Sequence, residues 1–302
     1  MNLIYYSLSR SGNPRYDQQW IQSIRSLRHY NRELPVCLMV YNGVSEIIIE
    51  EAARQDVMIT LVGDYRESLC RSSRHGSVLS LYPTLHKFLS LCELETAECS
   101  QILYLDCDTF FFDDPDILFA NYQECDWYAR EAPSSQRCPH GYDPNNINEL
   151  LLQSMAQEES LLPILPFNAG VCVLNHGVWR EFEKLRAIFL DNVWRLLVGR
   201  HQRSGDGTDD HIRAAVLATA TDADRSRALT YPSTNFWIAE EIALWLTLGA
   251  IEGVSQGFLS SDHVEQGHEF YDPKPPARHH VLTHYFSSLQ DKFFSSPERN
   301  ES

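Results

Sequence analysis

Apolar and polar positions along the first third of the chain alternate in blocks that predict strands followed by helices. Short apolar runs at residues 3–8, 35–41 and 57–62 predict buried strands. Between them, apolar side chains recur at helical spacing over residues 20–30 and 44–54, which predicts helices with one buried face. Such alternation is typical of a mostly parallel sheet with helices on its faces.

The rest of the chain continues the pattern after a polar stretch, containing Arg66, Arg71, Arg74 and His75, that is predicted to be a loop. The further predicted strands are residues 101–105, 126–131, 167–175 and 280–286. The further predicted helices are residues 78–94, 116–122, 179–197, 209–220 and 236–248. The segments predicted to be loops or exposed polar stretches are residues 133–148, 205–210 and 220–227. We therefore expect a single α/β domain over residues 1–290, with a twisted and mostly parallel sheet between helices, and a frayed tail at 291–302.

Composition and charge narrow the function classes. The 302 residues carry a formal net charge of −16, which disfavours binding to the phosphate backbone of nucleic acids. No apolar run approaches the roughly 18–20 residues of a membrane-spanning helix. The eight cysteines form no CxxC pair, so a zinc ribbon or dithiol redox motif is not indicated. We expect a cytoplasmic enzyme with no integral membrane segment.

Two aspartates supply the first candidate chemistry. Asp106 and Asp108 follow the apolar run at 101–105, and the carboxyl ends of strands in open α/β sheets are where ligands bind. Like charges raise each other's pKa, and a divalent cation such as Mg²⁺ or Mn²⁺ removes that cost. Capping of the next helix could also explain an aspartate here, but Asp113 and Asp114 already serve that purpose. The pattern therefore favours a metal site.

Several segments in this order resemble one enzyme family. ILYLDCDTFFF is similar to the metal-binding strand of GT-A glycosyltransferases, especially the glycogenin-like family and its bacterial relatives. YPTLHKFLSL, FNAGVCVLN and the His284–Tyr285 pair resemble neighbouring landmarks of that family. The resemblance implies a GT-A-like fold and transfer of a hexose from a nucleoside-diphosphate sugar, most often a UDP-sugar, with retention of anomeric configuration. The acceptor would be a glycan, a protein or a small molecule.

The resemblance also implies a role for each residue that matches a motif. It places the metal, Mn²⁺ or Mg²⁺, on Asp106, Asp108 and His284, and the donor against Lys87, Asp106, Asn168, Ala169 and Gly170. A nitrogen ligand beside two carboxylates favours Mn²⁺. The chain departs from the family after the histidine, where Ser287 and Ser288 replace a glycine and Lys292 comes late.

The family also carries an acidic position that opens a helix beside the sugar, and this chain offers two candidates. Asp209 and Asp210 have the more usual spacing from the NAGV segment. Glu240 and Glu241 open the more apolar helix and precede the last strand, so we favour them as the catalytic pair. Acidic residues in a first helical turn also complement the helix dipole without any catalytic role.

Two other functions fit part of the sequence. Phosphatases of the haloacid-dehalogenase type use a DxDx[TV] motif and a later GDGxxD, and the chain contains LDCDT and GDGTDD. However, Thr109 stands one position early, and GDGTDD follows a polar stretch rather than an apolar strand. A GT-A-like scaffold that binds sugar nucleotides without turnover is the second alternative. Because both aspartates are present, we favour a catalyst.

Overall fold

The computed structural model describes residues 1–8, 12–82, 85–94, 99–131, 167–203, 210–228, 239–249, 251–267 and 280–285. The strands in these ranges are β1 (Asn2–Leu8), β2 (Val36–Tyr41), β3 (Met58–Val62), β4 (Gln101–Leu105), β5 (Thr109–Phe111), β6 (Trp127–Glu131), β7 (Phe167–Asn175), β8 (Gln256–Leu259), β9 (Val264–Gly267) and β10 (Leu282–Tyr285). The helices are α1 (Pro14–Tyr30), α2 (Glu46–Arg54), α3 (Tyr65–Ser72), α4 (Gly76–Leu79), α5 (His86–Leu89), α6 (Asp116–Asn121), α7 (Trp179–Arg203), α8 (Asp210–Thr219), α9 (Asp222–Ala228) and α10 (Ala239–Gly249). A 3₁₀ turn, Ser90–Glu93, continues α5.

The main sheet has the strand order β3-β2-β1-β4-β7-β6-β8. Strands β3, β2, β1 and β4 pair in parallel, and β6 pairs in parallel with β8. Among the described strands of this sheet, only β7 runs antiparallel to its neighbours, β4 and β6. The predicted α/β architecture, with a mostly parallel sheet between helices, is therefore confirmed.

Both faces of this sheet are covered, because successive side chains of its strands enter opposite layers. In β1, Leu3 and Tyr5 join the layer built with α4, α5, α7 and α10. Ile4, Tyr6 and Leu8 join the layer built with α1, α2 and α6. Within the described ranges, no helix has the length and apolar character needed to cross a membrane.

A smaller sheet, of order β5-β10-β9, carries the last described strand back to the end of β4. Strand β10 pairs antiparallel with β5, and His284 lies opposite Thr109 in that register. Because β5 begins three residues after Asp106, this pairing brings His284 beside the two aspartates. Sequence patterns did not predict β5, β8 or β9, which are only three or four residues long.

The predicted polar loop after β3 is wrong, because it contains helix α3. Asp64 caps this helix by accepting hydrogen bonds from the backbone N–H groups of Arg66 and Glu67, at 2.7 and 3.3 Å. Tyr65 and Leu69, one turn apart, are buried. Because charged and polar residues separate the two, the sequence shows no apolar repeat that would indicate a helix.

One further predicted segment needs correction. The continuous helix expected over residues 78–94 is divided into α4, α5 and the 3₁₀ turn, and Pro83 lacks the amide hydrogen that a helix interior requires. The stretch at 220–227 is exposed as expected, except at Ala220 and Asp224, and most of it forms α9. Within it Asp224 is buried and pairs with Arg74 at 2.7 Å. The expected loop at 133–148 and the tail at 291–302 lie outside the described residues, so the domain limits remain a prediction.

Candidate metal and donor site

Strand β4 delivers Asp106 to the centre of the main sheet at its carboxyl edge. The Asp106 N–H donates to the carbonyl oxygen of Gly170 at 2.8 Å, which extends the pairing of β4 with β7 by one residue. The next turn is held by Thr109, whose hydroxyl donates to the Asp106 carbonyl at 2.9 Å and contacts the Ser23 hydroxyl at 2.8 Å. Backbone and side-chain contacts therefore fix the direction in which Asp106 and Asp108 leave the sheet.

Asp106, Asp108 and His284 converge as the resemblance implied. His284 Nε2 lies 3.2 Å from Asp108 Oδ1 and 3.7 Å from Asp106 Oδ2. One ligand atom from each residue falls within 4.8 Å of the others. Octahedral ligands at about 2.1 Å from a small divalent cation lie about 3 Å apart when adjacent and about 4.2 Å apart when opposite. The spacing and the chemistry of these donors therefore fit a divalent cation.

Gly170 leaves the space that His284 occupies. A Cβ atom added at Gly170 would overlap the imidazole ring of His284. His284 is only 3% exposed, and its backbone is fixed by pairing with β5 and β9. The glycine in the NAGV segment is therefore explained by the close approach of a ring, as well as by any ligand.

Lys87 and Tyr104 each donate a hydrogen bond to a different oxygen of the Asp106 carboxylate. Lys87 Nζ donates to Oδ2 at 2.7 Å and the Tyr104 hydroxyl donates to Oδ1 at 2.5 Å. Burial alone would raise the pKa of Asp106. The charges of Lys87 and His284, together with these hydrogen bonds, outweigh it and hold the pKa below its usual value. Asp106 is thus kept ionised.

The pKa values of the two basic groups of the site, Lys87 and His284, are both raised. Burial would lower the pKa of Lys87, but Asp106, Glu240 and Glu241 outweigh it and raise that pKa. Burial would likewise lower the pKa of His284, but Asp108 and Asp106 raise it. The carboxylates of the site therefore favour positively charged groups beside them.

Glu240 and Glu241 open α10 and are both buried, at 1% and 6% exposure. Glu241 Oε1 accepts a hydrogen bond from the backbone N–H of Ala169 at 2.9 Å. Burial, and secondarily the neighbouring charge of Glu240, raises the pKa of Glu241 to about 8. Helix α10 therefore contacts the NAGV segment through a side chain that is buried and hard to ionise.

The structure brings most of the predicted site residues together. The residues that meet around the end of β4 are Lys87, Asp106, Asp108, Ala169, Gly170, Glu241 and His284. Asn168 lies on β7, and Asp210 begins α8, but their side chains are outside the described part of the structure. Asp209, the GDG segment before it, Ser287, Ser288 and Lys292 are also outside it.

Tyr104 is the site residue that the sequence analysis missed. Its place inside the apolar run at 101–105 predicts a buried strand residue and no polar contact. A signal was available, because residues two apart in a strand project from the same face, and Tyr104 is two positions before Asp106.

Comparisons with known proteins give similarity at the level of structure alone. No protein-family model and no curated protein matches the chain. Three solved structures to which it is similar are glycosyltransferases. Mouse xyloside xylosyltransferase 1 is 12% identical with a TM-score of 0.48, over 94% of this chain and 97% of that chain. GlyE of Streptococcus pneumoniae is 14% identical with a TM-score of 0.49, over 97% and 60%. The galactosyltransferase LgtC is 14% identical with a TM-score of 0.46, over 99% and 98%.

Proposed function

We propose that this chain is a metal-dependent glycosyltransferase of the GT-A-like type, which moves a sugar from a nucleoside-diphosphate sugar to an acceptor. The observation that carries the proposal is the convergence of Asp106, Asp108 and His284 beside Lys87 at the carboxyl end of β4. Oxygen and nitrogen donors at this spacing suit Mn²⁺, with Mg²⁺ as the alternative. A divalent cation held there supplies Lewis-acid stabilisation of the charge that develops on a departing diphosphate.

The residues around the carboxylates have distinct roles in this proposal. Asp106 and Asp108 hold the cation, and His284 completes the set of ligands. Lys87, at 2.7 Å from Asp106, orients that carboxylate and presents a positive charge to the donor phosphates. The Asn168–Gly170 backbone borders the sugar. Most of the rate would then come from positioning and from stabilisation of the leaving group.

The finer features of the reaction are part of the same proposal and rest on the family resemblance. The donor is a UDP-sugar, the transferred group is a hexose, and the anomeric configuration is retained. An inverting enzyme would need a carboxylate base at the acceptor hydroxyl, for which Glu240, Glu241, Asp209 and Asp210 are the candidates. Analysis of the product anomer by NMR decides between the two, and an inverted product would contradict retention.

A donor-hydrolysis assay tests the proposal without knowledge of the acceptor. The protein is incubated with a panel of nucleoside-diphosphate sugars, with and without Mn²⁺, and release of the nucleoside diphosphate is measured. We expect release from one class of donor, only with metal, and its loss in an Asp106→Asn, Asp108→Asn double variant. Asp113→Asn, Asp114→Asn is the matched control, because this nearby acidic pair lies at the start of α6.

Two outcomes of that assay would replace the proposal. Release of inorganic phosphate from a phosphate monoester with Mg²⁺ would favour the phosphatase alternative. Tight, metal-dependent binding of a sugar nucleotide, with no release after addition of glycan, peptide and small-molecule acceptors, would favour the non-catalytic scaffold.

A further inference from the structure

Strand β7 carries a bulge at the residues that border the site. Ala129 of β6 pairs with Cys172, but the next residue, Arg130, pairs with Asn168. Residues 169–171 therefore have no partner on β6, although β4 continues to pair with β7 on the other side. Bulges of this kind re-aim a strand locally, and they release backbone groups from the ladder.

Three contacts hold the bulged segment in place. Because backbone groups point alternately to the two sides of a strand, the Ala169 N–H faces away from β4, and Glu241 Oε1 accepts from it at 2.9 Å. The Gly170 carbonyl faces β4 and accepts from the Asp106 N–H at 2.8 Å. The Gly170 Cα borders the His284 ring closely enough to exclude a side chain. Glu241 thus supplies the acceptor that β6 no longer provides.

We propose that Glu241 is a positioning residue, which holds the bulge of β7 and through Gly170 sets the place of His284 beside the aspartates. The proposal rests on the proposed function insofar as His284 is a metal ligand. The contact with the bulge on which the role rests is the hydrogen bond from the Ala169 N–H to Glu241.

Burial and bonding both favour this role over a reacting one. Glu241 is 6% exposed, and one carboxyl oxygen is committed to a backbone amide. An amide in the interior that lost this acceptor would be left without a partner on β6, which is costly.

A pair of near-isosteric substitutions tests the acceptor role. Glu241→Gln keeps a carbonyl acceptor of the same length, whereas Glu241→Met keeps length and helix propensity but removes it. The first measurement is amide hydrogen exchange of the peptide that spans residues 167–172. The second is the affinity for Mn²⁺ alone, measured by electron paramagnetic resonance. Thermal melting first verifies that each variant folds cooperatively.

We expect Glu241→Met to speed exchange of the peptide on the order of tenfold and to weaken Mn²⁺ binding by about tenfold or more, as for loss of a partner that orients a ligand. Glu241→Gln should keep both values within about twofold of the unsubstituted protein. Glu252→Met is the control, because Glu252 is exposed beyond the end of α10, and it should leave exchange of residues 167–172 unchanged.

Equal exchange in the Met and Gln variants would overturn the positioning role. So would loss of donor turnover in Glu241→Gln with exchange and Mn²⁺ affinity intact, since the ionised carboxylate would then take part in the reaction. If the unsubstituted protein bound no Mn²⁺, the proposed function would fail. The exchange comparison would still decide whether Glu241 holds the bulge.

Discussion

Lys87 lies among the carboxylates of the proposed metal site. Its ammonium group contacts Asp106 at 2.7 Å, both side chains are 16% exposed, and Glu240 and Glu241 act on the same charge. Removal of one partner from a largely buried ion pair leaves the other charge uncompensated. Both the stability of the protein and its response to metal are therefore expected to depend on Lys87.

We predict that Lys87→Met lowers the free energy of unfolding by about 2–4 kcal/mol in the absence of metal. Added Mn²⁺ should raise the melting temperature of this variant more than that of the unsubstituted protein, because a bound cation compensates the same carboxylates. Lys184→Met is the control, since Lys184 is 70% exposed and should change stability by no more than about 0.5 kcal/mol. An unchanged stability for Lys87→Met would show that the pair contributes nothing.

The sequence predicts the role of a residue best when a reactive side chain directly follows a predicted strand. Asp106 and Asp108 were identified because carboxylates directly follow an apolar run, and His284 because the resemblance extends to the last strand. The contact of Glu241 with Ala169 could not be predicted, because it depends on a bulge that no local pattern specifies. The same applies to the ring of His284 against Gly170, which joins residues more than a hundred positions apart.

At the scale of elements, the packing of β7 against β10 decides whether the site can form. Strand β7 carries Gly170, and β10 carries His284 between β5 and β9. Neither strand can move without breaking its own ladder, so the space between them is fixed.

We predict that Gly170→Ala displaces His284, because the new methyl group overlaps its ring. The expected cost is about 1–3 kcal/mol in the free energy of unfolding, as for other overpacked sites. Affinity for Mn²⁺ should also fall by about tenfold or more, because the imidazole loses its orientation. Gly63→Ala is the control, since a Cβ there meets no atom within 4 Å. Normal Mn²⁺ affinity in Gly170→Ala would mean that His284 is not a ligand.

Elements were predicted best where a strong pattern covers the whole segment. Strand β7 was predicted at 167–175, the same bounds as in the structure, because its apolar run is long. Helix α3 was missed because its buried face consists of Tyr65 and Leu69 alone. Strands β8 and β9 are stabilised by pairing with β6 and β10, which is information about distant neighbours rather than about their own residues.

At the scale of the whole molecule, the buried acids couple folding to pH. The pKa of Glu241 is raised from 4.5 to about 8 in the folded state, so the folded state binds a proton that the unfolded state has released in that window. Stability therefore decreases as pH rises from about 4.5 to about 8, and the loss is complete above the folded pKa.

We predict that Glu241→Gln removes this dependence, since glutamine does not titrate. As pH rises through this window, the unsubstituted protein should lose unfolding free energy relative to the variant, by up to about 1.4 kcal/mol per pH unit. Urea denaturation at several pH values across it measures the difference. A difference that stays constant with pH would contradict a raised pKa for Glu241.

The architecture of the whole molecule was largely predictable, because alternating strands and helices leave few arrangements of the first four parallel strands. The antiparallel insertion of β7 between β4 and β6, and the small sheet that returns β10 to the site, were not predictable. Both depend on long-range pairing that single-sequence patterns do not encode.

The central claim is that Asp106, Asp108 and His284 hold a divalent cation that in turn holds a nucleoside diphosphate. Calorimetric titration of UDP, GDP and other nucleoside diphosphates into the protein, with and without Mn²⁺, tests it most directly. We expect saturable binding of one nucleotide class, UDP first, only when metal is present, and no binding by an Asp106→Ala, Asp108→Ala variant that melts cooperatively. Nucleotide binding of equal strength without metal, or in that variant, would contradict it.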